Sequence, residues 1–389
     1  MSRIPFNRPW ATGRELTYVQ QAIDGGRLSG NGPFTRRCQT WLEERTGAAR
    51  AFLTHSATAA LEMAALLLDL QPGDEVILPS FTFVSTANAF VLRGAVPVFV
   101  DIRPDTLNLD EARVEAAITP RTRALVPVHY AGVGCALESL LEIARRHRLA
   151  VIEDAAQGLL ASHRGRPLGG FGDLAALSFH ETKNVICGEG GALLVNRPDL
   201  FARAEILWEK GTDRSRFFRG EVDRYTWVDV GSSYLPSEIE AAFLWAQLEE
   251  AEDLTRRRLA LWHRYHDAFA PLEAAGRLRR PVIPPDCQAN GHLYHLLLPT
   301  LAERTALIEA LAAEDIQAVF HYVPLHSAPA GKRFGRAHGE LTNTDAAGDR
   351  LVRLPLWVGM TDEEIERVIA AVVRGVGETL RPGAATPAP

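Results

Sequence analysis

The stretch Leu149-Ala150-Val151-Ile152-Glu153-Asp154 decides the fold class of this 389-residue chain. It has the pattern of a buried strand that ends in two carboxylates. Three similar apolar runs precede it, at Val76-Ile77-Leu78, Val96-Pro97-Val98-Phe99-Val100 and Ala124-Leu125-Val126-Pro127-Val128. Short apolar strands that alternate with helical segments are typical of an α/β fold with a mainly parallel central sheet, flanked by helices on both faces.

The segments between these runs have helical patterns. Parallel sheets bind ligands beyond the carboxyl ends of their strands, and Asp154 falls at such an end. The predicted helices run from Ser85 to Leu92, from Asp110 to Ile118 and from Leu137 to His147.

The C-terminal part has a different organisation. A long helix is predicted from Ser237 into Arg256-Arg257-Arg258, and we expect it to connect two domains. Predicted strands at 293–298 and 317–323 flank a predicted helix at 302–312. We therefore expect a large domain at 1–250 and a smaller α+β domain at 251–380. The tail, 381–389, lacks an apolar pattern and is predicted to be disordered.

Composition excludes several functional classes. The net charge is −6, and no long basic stripe indicates nucleic-acid binding. The N-terminus lacks the apolar run of a signal peptide, and no apolar segment is long enough to span a bilayer, so we expect a cytoplasmic protein with no membrane partner. Four scattered cysteines and twelve histidines show no metal-ligand spacing, so no metal site is expected.

Lysine is scarce in this chain. Among 42 cationic residues only Lys183, Lys210 and Lys332 are lysines. Unlike arginine, a lysine can lose its proton in a partly dry site and become a nucleophile. Lys183 follows Ser178-Phe179-His180 and precedes a Gly188-Glu189-Gly190-Gly191 turn. We therefore predict that Lys183 carries pyridoxal phosphate (PLP) and shuttles a proton during the reaction.

PLP also requires a carboxylate, a phosphate site and a ring cover. Asp154 is the candidate partner of the ring nitrogen, although a helix N-cap is an equally good reading of that residue. Gln157 and Ser178 are candidates for the phenolic oxygen and the phosphate. Phe83 is the candidate ring cover, although aromatic residues near strand ends usually belong to a core.

The candidate phosphate site is the segment Ser56-Ala57-Thr58, which leads into an apolar helix at 59–70. Small hydroxyl residues at a helix start leave backbone N–H groups free, and the helix dipole favours an anion there. An ordinary N-cap is the commoner use of such residues.

These motifs resemble the DegT/StrS-type sugar-nucleotide aminotransferases, which have the fold type I (aspartate aminotransferase-like) PLP architecture. The matching segments extend along nearly the whole chain in the family's order. They are Ile4-Pro5-Phe6-Asn7, Ser56-Ala57-Thr58, Pro79-Ser80-Phe81-Thr82-Phe83, Glu153-Asp154-Ala155-Ala156-Gln157, the segment from Ser178 to Gly191, and His321-Tyr322-Val323-Pro324-Leu325-His326.

The segments from Lys210 to Gly220 and from Tyr225 to Trp227 resemble a narrower group, the members that aminate C4 of dTDP-4-keto-6-deoxy-D-glucose. The resemblance implies L-glutamate as amino donor, a dTDP-4-amino-4,6-dideoxyhexose and 2-oxoglutarate as products, and a homodimer with shared active sites. It leaves open another keto-sugar nucleotide. The substrate residues that it implies are Phe6, Asn31, His180, Lys210, Arg219 and His326, although the basic loop from Lys210 to Arg219 reads equally well as a solvated surface loop.

One segment departs from the family pattern. Many relatives carry Gly-x-Asn-x-Arg where this chain has Gly231-Ser232-Ser233-Tyr234-Leu235. The Asn that reaches the cofactor phosphate of the neighbouring chain is replaced by Ser233. Two other functions stay open at this point, a PLP-dependent sugar dehydratase and a non-catalytic PLP-binding regulator. Related dehydratases have histidine at the position of Lys183, which counts against the first.

Overall fold

The computed structural model describes residues 2–378, so the predicted tail at 381–389 lies outside the described residues. An eight-stranded sheet with the order β1-β9-β8-β5-β4-β2-β3-β13 forms its centre. Neighbouring strands are parallel, except that β9 runs antiparallel to β1 and β8. These strands are β1 (Arg50–Thr54), β2 (Glu75–Pro79), β3 (Val96–Val100), β4 (Thr122–Leu125), β5 (Ala150–Asp154), β8 (Leu174–Ser178), β9 (Gly191–Val195) and β13 (Arg336–Ala337).

Two three-stranded sheets accompany the large one. The first has the order β10-β6-β7 and the second the order β11-β14-β12. Their strands are β6 (Ser162–His163), β7 (Arg166–Pro167), β10 (Cys287–Gln288), β11 (Tyr294–Leu297), β12 (Val319–Phe320) and β14 (Leu351–Leu354).

Helices cover both faces of the large sheet, because its strands are apolar on both sides. Helix α3 is the most buried of them, with eight of its 11 residues inaccessible to solvent. The helices are α1 (Glu15–Asp24), α2 (Pro33–Thr46), α3 (Ala57–Leu67), α4 (Val84–Val91), α5 (Glu111–Ala117), α6 (Leu137–His147), α7 (Phe201–Trp208), α8 (Arg214–Phe218), α9 (Glu238–Glu249), α10 (Ala251–Ala268), α11 (Ala270–Ala274), α12 (Leu301–Ala313), α13 (Pro329–Phe334), α14 (Thr342–Arg350) and α15 (Asp362–Glu378).

The C-terminal residues build a hydrophobic core of their own around the sheet β11-β14-β12. Helices α10, α12 and α15 supply much of this core, and Ile4 from the N-terminus is buried in it. Conversely, β13 joins the large sheet beside β3. The division at residue 250 therefore stays a prediction, since each part receives a segment from the other.

Two predicted elements differ from the structure. The long helix predicted from Ser237 is broken at Glu250, where φ is −106° and ψ is 6°, so α9 and α10 are separate helices. The strand predicted at 317–323 is confined to β12, because only Val319 and Phe320 pair with β14. None of the described helices combines the length and the apolar content needed to cross a membrane.

Candidate active site

A cleft of about 780 Å³ opens at the carboxyl edge of the large sheet. Strands β5 and β8 are parallel neighbours, and they end at Asp154 and Ser178, which both line the cleft. The loop after β8 carries Lys183 to the same place. The volume lies within the range of roughly 300–1,000 Å³ that small-molecule sites occupy.

The Lys183 amine lies in this cleft at the end of a tight loop. The loop is closed by a hydrogen bond from the Lys183 backbone N–H to the His180 carbonyl oxygen, 2.9 Å. Burial lowers the pKa of Lys183 to about 8, although the Asp154 carboxylate opposes this shift. A substantial fraction of the amine is therefore neutral near physiological pH, which a nucleophile or a proton carrier requires.

Asp154 is buried, and its carboxylate accepts two hydrogen bonds. Thr86 Oγ1 donates to Oδ2 at 2.7 Å, and the Ala156 N–H donates to Oδ1 at 3.2 Å. Gln157, one turn later, is also fixed at both ends. Its Oε1 accepts from the Ala131 N–H at 2.7 Å, and its Nε2 donates to the Tyr322 hydroxyl at 3.2 Å. Both side chains are thus held in one orientation before any ligand binds.

The start of α3 forms a cradle of backbone N–H groups at one end of the cleft. Ser56, Ala57 and Thr58 line the cleft here, and the Ser56 hydroxyl caps the helix by accepting from the Ala59 N–H at 3.1 Å. Gly191 packs against this turn so closely that a Cβ atom would lie 2.4 Å from the Ala57 nitrogen. The segment therefore fits both interpretations, because Ser56 caps the helix and the start of the helix can also bind an anion.

Aromatic side chains and a histidine complete the wall. Phe83 lines the cleft with 59% of its surface exposed, so its ring face is open to a ligand. Phe6 and His180 also line the cleft, as does Ser178, whose Oγ accepts from the His180 N–H at 3.4 Å. Ten of the residues predicted from the sequence thus come together: Phe6, Ser56, Ala57, Thr58, Phe83, Asp154, Gln157, Ser178, His180 and Lys183.

Comparison with known proteins supports the family that the sequence predicts. Residues 10–373 match the DegT/DnrJ/EryC1/StrS aminotransferase family. The chain belongs to this family. The GDP-perosamine synthase of Caulobacter vibrioides is 36% identical over 96% of this chain and 98% of its own length. The spore coat polysaccharide biosynthesis protein SpsC of Bacillus subtilis is 34% identical over 95% and 96%.

Solved structures of family members have the same fold. Spr1654 of Streptococcus pneumoniae in its PMP form superposes with a TM-score of 0.90 at 28% identity, covering 97% of this chain and 99% of that one. DesV of S. venezuelae gives a TM-score of 0.88 at 32% identity, with 97% and 99% covered. The predicted family and the aspartate aminotransferase-like fold are confirmed. The protein is a PLP-dependent sugar aminotransferase.

The cleft of this aminotransferase fits PLP by its chemistry. It offers a partly neutral amine in Lys183, a buried carboxylate in Asp154 and free backbone N–H groups at the start of α3. An open aromatic face is available at Phe83. These are the groups that an aldehyde, a pyridine nitrogen, a phosphate and a flat ring require.

Five predicted residues lie elsewhere in the same chain. The Asn31 amide donates to Glu209 at 2.9 Å, the Arg219 guanidinium pairs with Glu205 at 2.7 Å, and His326 is hydrogen-bonded to the Ser80 hydroxyl at 2.8 Å. None of these side chains lines the cleft of its own chain. The complete set outside the cleft is Asn31, Lys210, Arg219, Ser233 and His326.

The sequence prediction left out many of the residues that line the cleft, Thr86, Tyr322 and Arg353 among them. Thr86 was overlooked although it follows Phe83 in the same segment, and Tyr322 although it belongs to a family motif. Arg353 gave a stronger signal, because a charged side chain interrupts an apolar run at 351–356. A cation in such a run needs a partner or a ligand.

Away from the cleft, His163, Asp286 and Cys287 bring together three side chains of metal-binding type, although no such site is predicted from their spacing. Arg164 lies 3.5 Å from the Asp286 carboxylate, and the Glu138 carboxylate accepts a hydrogen bond from His163 Nε2 at 2.7 Å. His163 and Asp286 are therefore already paired with neighbouring side chains.

Proposed function

We propose that this aminotransferase moves an amino group from L-glutamate to C4 of dTDP-4-keto-6-deoxy-D-glucose. The products are 2-oxoglutarate and a dTDP-4-amino-4,6-dideoxyhexose of galacto or gluco configuration. The observation that carries the proposal is the Lys183 amine, with its pKa lowered to about 8, in one cleft with the buried Asp154. The choice of C4 and of dTDP rests on the segments from Lys210 to Gly220 and from Tyr225 to Trp227.

The proposed roles follow from the geometry. Bound PLP supplies a carbonyl that reacts with amines and a ring that accepts electrons when a bond at the neighbouring carbon breaks. Asp154 would keep the ring nitrogen protonated, and the start of α3 would bind the phosphate. Gln157, held by its contacts with Ala131 and Tyr322, would bond to the phenolic oxygen of the ring. Lys183 Nζ would hold the cofactor at rest and carry the proton to the new C–H bond.

A different nucleotide is the second candidate. The relative that is 36% identical over 96% of this chain is named GDP-perosamine synthase. A GDP-linked keto sugar is therefore the competing acceptor, and the proposed chemistry at Lys183 would be the same. The two acceptors differ in the nucleoside and in the configuration of the hexose at C2, so the residues that recognise those groups would decide between them.

We also propose a cytoplasmic homodimer in which each chain completes the other's site. Ser233, Lys210, Arg219, Asn31 and His326 lie outside the cleft of their own chain. The segment that carries Lys210, Arg219 and Ser233 also exposes large apolar side chains, with 79% of Trp227 and 69% of Phe218 exposed. Large exposed apolar side chains in one region favour a protein interface. A dimer would cover this surface and bring the basic residues to a second cleft.

The test is a comparison of acceptors. The purified enzyme, with PLP and L-glutamate, is offered dTDP-4-keto-6-deoxyglucose and its GDP-linked 4-keto-6-deoxymannose counterpart, and kcat/KM is measured for each. We expect the dTDP sugar to be the better substrate, and NMR of the product to place the amine on C4. Preference for the GDP sugar supports the second candidate, and no reaction with either 4-keto sugar contradicts both.

A further inference from the structure

The small sheet β10-β6-β7 brings together three side chains that can bind a metal ion. Cys287 of β10 and His163 of β6 lie directly opposite each other in antiparallel register, and Asp286 precedes Cys287. Residues opposite each other in this way have their Cβ atoms about 4.5–5.5 Å apart. One ligand atom from each of the three residues lies within 4.8 Å of the other two. The pairing of β6 with β10 thus builds a compact donor set from segments 124 residues apart.

The hydrogen bond to Glu138 orients the His163 ring. The Glu138 carboxylate accepts from Nε2 at 2.7 Å, so Nε2 carries a proton and the lone pair of the neutral ring is at Nδ1. Nδ1 lies 3.4 Å from Cys287 Sγ. A histidine that binds a metal through one ring nitrogen usually donates its other N–H to a carboxylate in this way. His163 therefore has the orientation of a metal ligand.

More acceptors than protons surround the Cys287 thiol. Its sulfur lies 3.4 Å from His163 Nδ1, 3.7 Å from the Gly134 carbonyl oxygen and 3.9 Å from Asp286 Oδ1. The single S–H proton can serve only one of these acceptors well, and a thiol is a weak donor. Little water can reach them, because Cys287 and His163 are only 8% and 3% exposed. A cation between sulfur, nitrogen and oxygen would satisfy three lone pairs at once.

The separations suit tetrahedral coordination of zinc. Zn–N and Zn–S bonds of about 2.0 and 2.3 Å place the nitrogen and the sulfur roughly 3.5 Å apart. The observed distance from His163 Nδ1 to Cys287 Sγ is 3.4 Å, and Asp286 Oδ1 lies 3.9 Å from the same sulfur. Sulfur and imidazole ligands also select zinc over Mg²⁺ and Ca²⁺, which prefer oxygen.

The neighbouring charges match a divalent cation. Arg164 lies 3.5 Å from Asp286 Oδ2 and 3.4 Å from Glu138 Oε1, so it leaves Asp286 Oδ1 to the donor set. When Cys287 binds a metal it releases its proton to solvent, and the thiolate and the two carboxylates then carry three negative charges. Arg164 balances one of them, and a divalent cation would balance the other two. The Asp286 and Glu138 side chains are 38% and 49% exposed, which leaves an ion a way in from solvent.

We propose that His163 Nδ1, Cys287 Sγ and Asp286 Oδ1 bind one Zn²⁺ ion per chain, and that Glu138 positions His163. Water completes the coordination on the open side. None of the three ligands lines the catalytic cleft. The ion fastens β10, from the C-terminal part of the chain, to the hairpin β6-β7. The proposal is independent of the amino donor and of the sugar acceptor.

The experiment measures metal binding to the enzyme with PLP bound. The protein is purified without a metal-affinity step, treated with a chelator and dialysed, and Zn²⁺ is then titrated in competition with a chromophoric chelator. Wild type should bind one Zn²⁺ ion per chain. Co²⁺ serves as the spectroscopic probe, and the difference from the metal-free enzyme should show tetrahedral cobalt with a thiolate ligand. In Cys287→Ser the zinc affinity should fall roughly 100-fold, and the thiolate-to-cobalt band should disappear.

Two variants test the surroundings of the ion. Glu138→Gln keeps the shape of the side chain and removes the charge that supports the His163 N–H, so zinc should bind roughly 10-fold more weakly. Arg164→Gln removes a positive charge beside Asp286 and Glu138, so zinc should bind roughly 5-fold more tightly. If Glu138 only stabilised the fold, zinc affinity would not change in the glutamine variant.

Cys135→Ser is the matched control. Cys135 is also buried, and it lies beside a second histidine–glutamate pair, His129 and Glu153. There the histidine Nδ1 already accepts from the Cys135 backbone N–H at 3.3 Å, so its lone pair is taken. Cys135→Ser should therefore bind zinc as wild type does. Zinc should raise the unfolding temperature of wild type and Cys135→Ser, but not that of Cys287→Ser.

The absorbance of bound PLP checks that each variant is folded. If Cys287→Ser does not fold, Asp286→Asn replaces it, since that position is partly exposed, and zinc affinity should fall roughly 10-fold. A wild type that binds no zinc in competition with the chelator overturns the proposal. So does zinc binding that is unchanged in the folded ligand variant, or a cobalt spectrum without a thiolate band.

Discussion

At the scale of single residues, the surroundings of Lys183 determine what the site can do. Arginine fills most cationic positions of this chain, so the lysine at 183 indicates a need for an amine. The structure adds the cause of its reactivity, because burial lowers the pKa of Lys183 from 10.5 to about 8. Asp154 opposes that shift and keeps part of the amine protonated. Lys183 can therefore attack as a free amine and, in its protonated form, return a proton.

The first prediction concerns the titration of Lys183 in the cofactor-free protein. Burial disfavours the charged form, so the neutral fraction rises as the pH increases through about 8. The rate at which acetic anhydride acetylates Lys183, measured against an internal amine standard and read by peptide mass spectrometry, should level off above that pH. In Asp154→Asn the plateau should begin at lower pH, because a carboxylate that favours the cation is gone. A rate that still climbs towards pH 10 would contradict the account.

The second prediction concerns the hydrogen bond that Thr86 donates to Asp154 at 2.7 Å. Thr86→Val leaves a buried carboxylate oxygen without this donor. We expect the free energy of unfolding to fall by about 1–3 kcal/mol and PLP to bind more weakly. Urea unfolding and a PLP titration measure the two effects, with Thr86→Ser as the control that keeps the hydroxyl. Equal behaviour of the valine and serine variants would show that the hydroxyl is unimportant.

At the scale of elements, local patterns were sufficient for the helices and strands from β2 to β5, whereas α1, α2 and β1 were not predicted. Helix α6 begins and ends where the sequence predicts, and α5 begins after Asp110, whose side chain caps it. The break between α9 and α10 could not be predicted, because both helices have continuous helical patterns and Glu250 is itself a good helix former. The shortness of β12 depends on its partner β14, and pairing of that kind leaves no trace in the local sequence.

A helix cap formed between distant parts of the chain is another feature that the local sequence does not predict. Glu238, the first residue of α9, accepts hydrogen bonds from the backbone N–H groups of Gly32, Phe34 and Thr35 at 2.8–3.0 Å. These groups belong to the start of α2, about 200 residues earlier. Gly32 is required here, because a Cβ atom would lie 2.4 Å from the Glu238 carboxyl carbon.

The third prediction tests this cap. Glu238→Gln keeps the shape of the side chain but removes the charge that complements the start of α2. We expect a loss of about 1–3 kcal/mol in the free energy of unfolding, since charge-assisted hydrogen bonds are weakened in a buried site. Ser237→Ala, which removes the local cap of α9, should cost about 1 kcal/mol. If the glutamine variant is as stable as wild type in urea, the charge of Glu238 does not stabilise α2.

At the scale of the whole molecule, a buried carboxylate paired with two partly exposed arginines connects the C-terminal part to the large sheet. Arg336 of β13 donates to both carboxylate oxygens of Glu75 at 3.0–3.1 Å, and Arg121 donates to the same carboxylate at 2.8 Å. Burial by itself would raise the pKa of Glu75. The hydrogen bonds from Arg336, Thr119 and Arg121 outweigh that effect and lower it to about 2.

The fourth prediction follows from this lowered pKa. The folded state favours the Glu75 carboxylate, so its contribution to stability is complete above the ordinary pKa of 4.5 and is lost as the pH falls towards about 2. The contribution is at most about 3 kcal/mol. The difference in unfolding free energy between wild type and Glu75→Gln should therefore be larger at pH 6 than at pH 3. A difference that does not change with pH would contradict this assignment.

The site as a whole was predictable to the extent that it follows motifs. Lys183, Asp154 and the start of α3 lie together because the carboxyl ends of parallel strands meet at one edge of the sheet. Arg353 lies in a C-terminal strand more than 150 residues from Lys183, and only the tertiary structure shows that it faces the same cleft. Five further predicted residues lie outside the cleft of a single chain, namely Asn31, Lys210, Arg219 and His326, expected at the substrate, and Ser233, expected at the cofactor phosphate.

The most direct test of the central claim is to find which residue holds the cofactor. The enzyme with PLP bound is reduced with borohydride, digested and mapped by mass spectrometry. The scarcity of lysine makes the result unambiguous, since Lys183, Lys210 and Lys332 fall in separate segments. The account predicts a pyridoxyl group on Lys183 alone, and none in the Lys183→Ala variant. A label on Lys210 or Lys332, or an unlabelled Lys183 in enzyme that transfers amines, would contradict it.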